Sequence, residues 1–132
     1  MLKGSCLCGE ITYQYDGEIT EIAMCHCQQC RKAQGTAFGT NAPINTQQFT
    51  LLSGQNQLKE FYSSKDKLRA FCQNCGSPLY SKRPDTPNTI RLRIGTLDTP
   101  ITHKPDYHIY YDSRAEWFDS NDDLTKHEKL NP

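Results

Sequence analysis

The chain has 132 residues with 36% apolar and 10% aromatic side chains, enough for one domain around a modest core. Its 15 basic and 15 acidic residues cancel to a formal charge of zero, so no nucleic-acid partner held by bulk electrostatics is expected. No apolar run approaches the ~18–20 residues that span a bilayer. MLKGSCLCGE also lacks the apolar stretch of an export signal, so the expectation is a cytoplasmic protein with no membrane partner.

In chain order the periodicity is β more than helical. GEITYQYDG alternates Ile11, Tyr13 and Tyr15 with polar residues before a turn at Asp16-Gly17. One short helix is expected from about Cys27 to Gln34, ended by Gly35. FTLLSG closes on a Ser-Gly turn, and QLKEFYS and KLRAFC flank the polar SSKD. Gly76, Ser77 and Pro78 suit a turn, with glycine in a left-handed position. Pro84, Pro87, Pro100 and Pro105 mark loops around TIRLRIGTL, where Ile90, Leu92 and Ile94 alternate with Thr89, Arg91 and Arg93 as in a strand with one buried face. HIYYD is a further short strand, and the polar tail NDDLTKHEKLNP is expected to fray or to form one helical turn. No repeat or linker divides the chain, so a single domain over residues 1–132 is expected.

Seven cysteines are an odd number for a closed disulfide framework, and every one lies in a group: CLC (Cys6, Cys8), CHCQQC (Cys25, Cys27, Cys30) and CQNC (Cys72, Cys75). Grouped thiols of this kind are ligands for zinc, which takes a tetrahedron of sulfur and nitrogen donors. Seven divide as four, which close a structural site, and three, which leave a position for water or substrate. Two partitions fit the spacing. One is a ribbon of Cys27, Cys30, Cys72 and Cys75, leaving Cys6, Cys8 and Cys25. The other joins Cys6 and Cys8 to Cys72 and Cys75, leaves Cys25, Cys27 and Cys30 together, and has the merit of keeping every group whole.

GSCLCGEITY, CHCQQCRKAQG, FCQNCGSPL and HIYYDSRAEW, in that order, resemble the successive motifs of the glutathione-dependent formaldehyde-activating enzyme family, which includes centromere protein V. The resemblance runs from about Gly4 to Trp117. It implies a mainly β, zinc-bearing β-tent of the Mss4-like type with a short helix. It also implies two zinc ions per chain: a closed site at Cys6, Cys8, Cys72 and Cys75, and an open, catalytic one at Cys25, Cys27 and Cys30. The activity it implies is that of a carbon–sulfur lyase, S-(hydroxymethyl)glutathione synthase-like. Its partners are a small thiol such as glutathione and a small aldehyde, joined or parted as a hemithioacetal. An open zinc position favours the thiolate form of an incoming thiol, which is the nucleophile such a reaction needs.

Other residues near these motifs carry a plain and a functional reading. His26 lies between two cysteines, and neighbours on a short turn point apart, so a role in orienting or packing is expected rather than ligation. Arg31 and Lys32 either attract the carboxylates of glutathione or form a solvated helical face. Gln28 and Gln29 read as exposed polar residues. Trp117 reads as a core anchor, while His108, Tyr110, Tyr111 and Arg114 fit either a pocket or a strand. No carboxylate pair marks a general base. The competing function is a non-catalytic module in which both zincs are structural and the surface engages a protein or nucleic acid.

Overall fold

Alternating apolar side chains set a small sheet and a large one around one core. The computed structural model describes residues 1–130. The small sheet contains β1 (Leu2–Ser5), β2 (Thr12–Tyr15) and β5 (Phe49–Ser53), in the order β1-β2-β5. The remaining strands are β3 (Ala23–Cys25), β4 (Gly39–Asn45), β6 (Leu58–Ser64), β7 (Lys67–Cys72), β8 (Pro78–Lys82), β9 (Thr89–Arg93), β10 (Tyr107–Ile109) and β11 (Thr125–Lys126). They form one sheet in the order β11-β10-β3-β4-β9-β8-β7-β6. The single α-helix among the described residues, α1 (Gln28–Gln34), follows β3 directly. This is the mainly β architecture with a short helix that the sequence leads one to expect.

The alternation in β2 works as read: Ile11, Tyr13 and Tyr15 are buried against Ala42 and Ile44 of β4, Leu79 of β8, and Ile90 and Leu92 of β9. Burying each such aliphatic side chain contributes about 1.5–3 kcal/mol. Tyr13 is wholly buried, and its hydroxyl is satisfied by Thr96 Oγ1 at 2.7 Å. Gly4 of β1 lies against this ring, and a Cβ there would overlap both the Tyr13 side chain and the Thr96 carbonyl. Gly4→Ala is therefore expected to destabilise the domain by about 1–3 kcal/mol through overpacking. A thermal melt within a degree of wild type would contradict this account of the sheet-to-sheet contact.

The helix meets its expectation. Cys27 is its N-cap, and Gly35 closes it in the left-handed region (φ 62) with its N–H on the Arg31 carbonyl at 2.7 Å. Gly76 likewise has φ 80 at the turn after Cys75.

Two expectations need correction. The tail neither frays nor turns helical over its described length. Thr125 and Lys126 add a parallel strand to β10, and further main-chain bonds run from Tyr110 N to Lys129 O and from Tyr111 N to His127 O. Residues 131 and 132 lie outside the described part. Trp117 is not a core anchor: it is 68% exposed, while its neighbours Ala115 and Phe118 turn inward. No helix among the described residues is long and apolar enough to cross a membrane.

Candidate metal centres

The first thiol cluster is built by two turns from different sheets. Cys6 follows β1, and its Sγ accepts the Ile11 N–H at 3.3 Å while the main chain closes from Cys6 N to Ile11 O. Cys72 ends β7, and the Gly76 N–H returns to its carbonyl at 2.7 Å. Leu7 N donates to Ser77 Oγ at 2.9 Å and ties the two turns together. The sulfurs of Cys6, Cys8, Cys72 and Cys75 all lie within 4.8 Å of one another, with Cys6–Cys8 at 3.6 Å and Cys8–Cys72 at 3.8 Å. A tetrahedral zinc–thiolate site with bonds of about 2.3 Å has sulfur–sulfur edges of about 3.8 Å. The donor set fits such an ion. Burial pushes the Cys72 thiol up to about 11. Burial also opposes ionisation of Cys75, yet hydrogen bonds from the Ser77 and Cys8 backbones draw it down to about 6.

Cys25, Cys27 and Cys30 form a second cluster, their sulfurs also within 4.8 Å of each other. Of the two partitions open at the level of spacing, the structure has the one that keeps each group whole. Cys25 ends β3, paired with Ile109 of β10 on one side and Gly39 of β4 on the other. Cys27 caps α1, accepting the Cys30 N–H at 3.3 Å, and Cys30 is fully buried one turn on. Hydrogen bonds from Cys25 and Cys27, then the positive charges of Arg93 and Lys67, hold the Cys30 thiol strongly toward thiolate. Hydrogen bonds with Cys27 and Cys30, with burial added, push Cys25 strongly the other way. The cluster holds three donors, and no fourth cysteine, histidine or carboxylate joins them among the described residues.

Positive charge surrounds this second cluster. Arg69 Nη2 lies 3.7 Å from Cys30 Sγ, and Arg69 Nε donates to Ser63 Oγ at 3.1 Å. Its Nη1 is buried without a hydrogen-bond partner. Arg93 is 3% exposed and donates to Asn41 Oδ1 at 2.6 Å. Burial lowers Arg93 to about 10 and also lowers Lys67, in each case against the favourable charge of Cys30. Among the described residues no carboxylate pairs with Lys67, Arg69 or Arg93. A cleft of about 590 Å³ opens beside them, between α1 and the sheet, with Lys32, Arg69 and Arg93 among its polar lining and Phe61, Phe71 and Tyr80 among its apolar lining. Gln28 and Gln29 are exposed as expected, although Gln29 also reaches this cleft.

His26, between two of these cysteines, is fully buried and does not join the thiol cluster. Its Nε2 lies 2.7 Å from His108 Nδ1, and His108 Nε2 lies 2.9 Å from Asp122 Oδ2. Burial, then the proximity of His108, lowers His26 to about 4. Hydrogen bonding to Ser120, working against burial, and then to His108 and Leu124 holds Asp122 well below the ordinary carboxylate range. Tyr111 stacks edge-on against His26 at 5.0 Å, and Arg114 sits 4.5 Å over the Tyr111 ring. Thus the sequence motif HIYYDSRAEW supplies a backing for the cysteine loop, with Trp117 outside it.

Lys67, Arg69, Arg93 and Asp122 are the residues that reading the sequence passed over. The available signal was KLR and RLR, cations at every second position of two apolar strands with no acid between them.

Residues 1–113, which hold all seven cysteines, match the family model described as glutathione-dependent formaldehyde-activating enzyme. An uncharacterised lyase of Schizosaccharomyces pombe is 31% identical over 78 residues, which cover 59% of this chain and 55% of that protein. The chain thus spans about half the length of this curated relative. A solved structure of a Rhodobacter sphaeroides protein aligns with a TM-score of 0.62 at 19% identity, over 75% of this chain and 90% of its own, a likeness of fold. By the extent of the first match, the chain belongs to the glutathione-dependent formaldehyde-activating enzyme family.

Proposed function

We propose that the chain is a zinc-dependent carbon–sulfur lyase that forms or breaks a hemithioacetal between a small aldehyde and an anionic thiol such as glutathione. One observation carries this reading beyond family membership. A three-thiol cluster is linked through Arg69 to a cleft whose buried cations, Arg69 and Arg93, have no carboxylate of their own among the described residues. Four thiols at Cys6, Cys8, Cys72 and Cys75 would hold a structural ion, and Cys25, Cys27 and Cys30 an open one. An ion at the open site supplies a free coordination position that favours the ionised form of an entering thiol.

The chain's own residues do the rest. Arg69 stands between Cys30 and the cleft, so an anion that pairs with it is held within reach of the cluster. Three thiolates around a dication would leave one negative charge against the three cations Lys67, Arg69 and Arg93, and the surplus would suit a ligand bearing carboxylates. Lys32, of the two helical cations considered from the sequence, faces this cleft. The reaction balances without an oxidant: the sulfur–carbon bond forms and the thiol proton ends on the former carbonyl oxygen. The protein's contribution is orientation of the two partners in a partly apolar cleft.

Arg69→Met tests the anion contact. Losing a charge-assisted hydrogen bond costs about 1.5–3 kcal/mol, so glutathione is expected to bind roughly 10–100-fold more weakly. Glutathione dimethyl ester should bind wild type and variant alike. If titrations showed Arg69→Met unaltered toward glutathione, the cleft would not be the thiol site.

A further inference from the structure

The chain Asp122–His108–His26 has its first hydrogen-bond direction set by the carboxylate at its end. Asp122 accepts from Ser120 Oγ at 2.7 Å, Leu124 N at 3.0 Å and Lys126 Nζ at 3.3 Å, and is a carboxylate with lone pairs only. His108 Nε2 at 2.9 Å must therefore carry the proton it donates to Asp122. In the Nε2–H tautomer His108 presents a bare Nδ1, and the geometry suits donation to it from His26 Nε2–H, 2.7 Å away. His26 Nδ1 is left as a bare, buried nitrogen with no partner among the described residues. A buried nitrogen without a partner is costly, so the arrangement is not the cheapest way to fill the space.

What the chain holds is the middle residue of the cysteine loop. The His26 main chain is gripped as well, its N–H donating to the Ile109 carbonyl at 3.0 Å. Cys25 and Cys27 share peptide planes with His26, so a rotation of that residue moves both sulfurs. The Asp122 end is anchored independently by the β11 strand and by the Lys126 contact. Tyr110, the single non-glycine residue with positive φ (53) among those described, turns the chain between His108 and Tyr111, and Tyr111 backs the His26 ring.

We propose that Asp122 and His108 are positioning residues: acting through His26, they fix its Nε2–H tautomer and ring orientation and so set the geometry of Cys25 and Cys27. The proposal rests on the reading of the three-thiol cluster as the reaction site, but its test does not need activity. Long-range nitrogen–proton NMR of the imidazoles in the zinc-supplemented full chain should show both His26 and His108 as Nε2–H tautomers. In Asp122→Asn the amide can offer its NH₂ to His108 Nε2, which would turn that ring to Nδ1–H and set donor against donor at His26, the fault known when a triad aspartate becomes an amide. His26 is then expected to change its tautomer or lose its bond. Cobalt competition should show the second cluster holding metal about 10–100-fold more weakly, as when an outer hydrogen-bond partner of a metal site is removed. Ser120→Ala, which leaves the carboxylate in place, should keep the wild-type tautomers.

A wild-type spectrum with either ring as Nδ1–H would overturn the proposal whether or not any variant folds. So would an Asp122→Asn protein whose His26 resonances and cobalt affinity match wild type. If tautomers and affinity behave as expected while no hemithioacetal exchange is accelerated, the relay stands and the lyase reading fails.

Discussion

Cys72→Ala, and equally Cys6→Ala, is expected to leave the chain unfolded at room temperature, whereas Cys27→Ala is expected to fold. Cys72 is wholly buried at the end of β7, and its cluster reaches Cys8 across 64 residues, tying the small sheet to the large one. A structural zinc supplies about 10–16 kcal/mol of apparent binding free energy, which in such sites is folding free energy. That exceeds or matches the about 5–15 kcal/mol by which a domain is stable at all. Cys27 sits half-exposed at the start of α1, in a loop whose ligands are near neighbours in the chain, so losing it relaxes little of the fold. Circular dichroism melts with zinc analysis check both halves. Freshly reduced wild type should hold about two zinc ions, Cys27→Ala one firmly, and Cys72→Ala should lack a cooperative melt. Equal damage in the two variants, or one zinc in reduced and zinc-supplemented wild type, would remove the division into scaffold and reaction site.

Much of the fold was legible where one face of a strand meets solvent. Ile11, Tyr13 and Tyr15 alternate cleanly, and β2 is where they put it. The long strand β4 was not legible, because GTNAPIN carries glycine, proline and two asparagines, all poor strand formers. The structure shows why the proline is tolerated. β3 pairs with β4 only as far as Asn41, so Pro43 has β9 on one side and no ladder partner for its missing N–H on the other. The tail strand β11 escaped for another reason: two residues carry no period, and only the parallel pairing to β10 defines it.

The cysteines were legible because chemistry restricts them; grouped free thiols have few other uses. Which thiols join was not, since spacing admitted two partitions and the choice is made in space, by β1 and β7 ending at the same place. The cations were hidden by a rule that usually holds. Arg91 and Arg93 read as the solvent face of a half-buried strand, yet Arg93 is buried, its guanidinium held by Asn41 and its charge set against that of Cys30. An arginine alternating with aliphatic residues reports a polar neighbour, and here the neighbours are Asn41 and the thiol cluster rather than bulk solvent. Asp122 lay in a tail whose charges looked like solvation; nothing local distinguished it from Asp123.

The second large effect concerns rate, and it is the measurement that bears most directly on the central claim. Hemithioacetals form unaided, so the quantity of interest is exchange beyond the background. A mixture of formaldehyde and glutathione at equilibrium, observed by exchange NMR, is expected to interconvert faster with the zinc-supplemented protein than in buffer. The excess should fall to background in Cys27→Ala, whose closed cluster and fold remain. Orientation in the cleft, rather than acidification alone, is expected to set the size of the effect, because three thiolates would already donate much charge to an ion held there. The acceleration should therefore be reduced in Arg69→Met at low glutathione and recover as glutathione is raised. Exchange no faster than buffer, with two zinc ions present per chain and several aldehydes and thiols tried, would contradict the assignment of Cys25, Cys27 and Cys30 to a carbon–sulfur lyase.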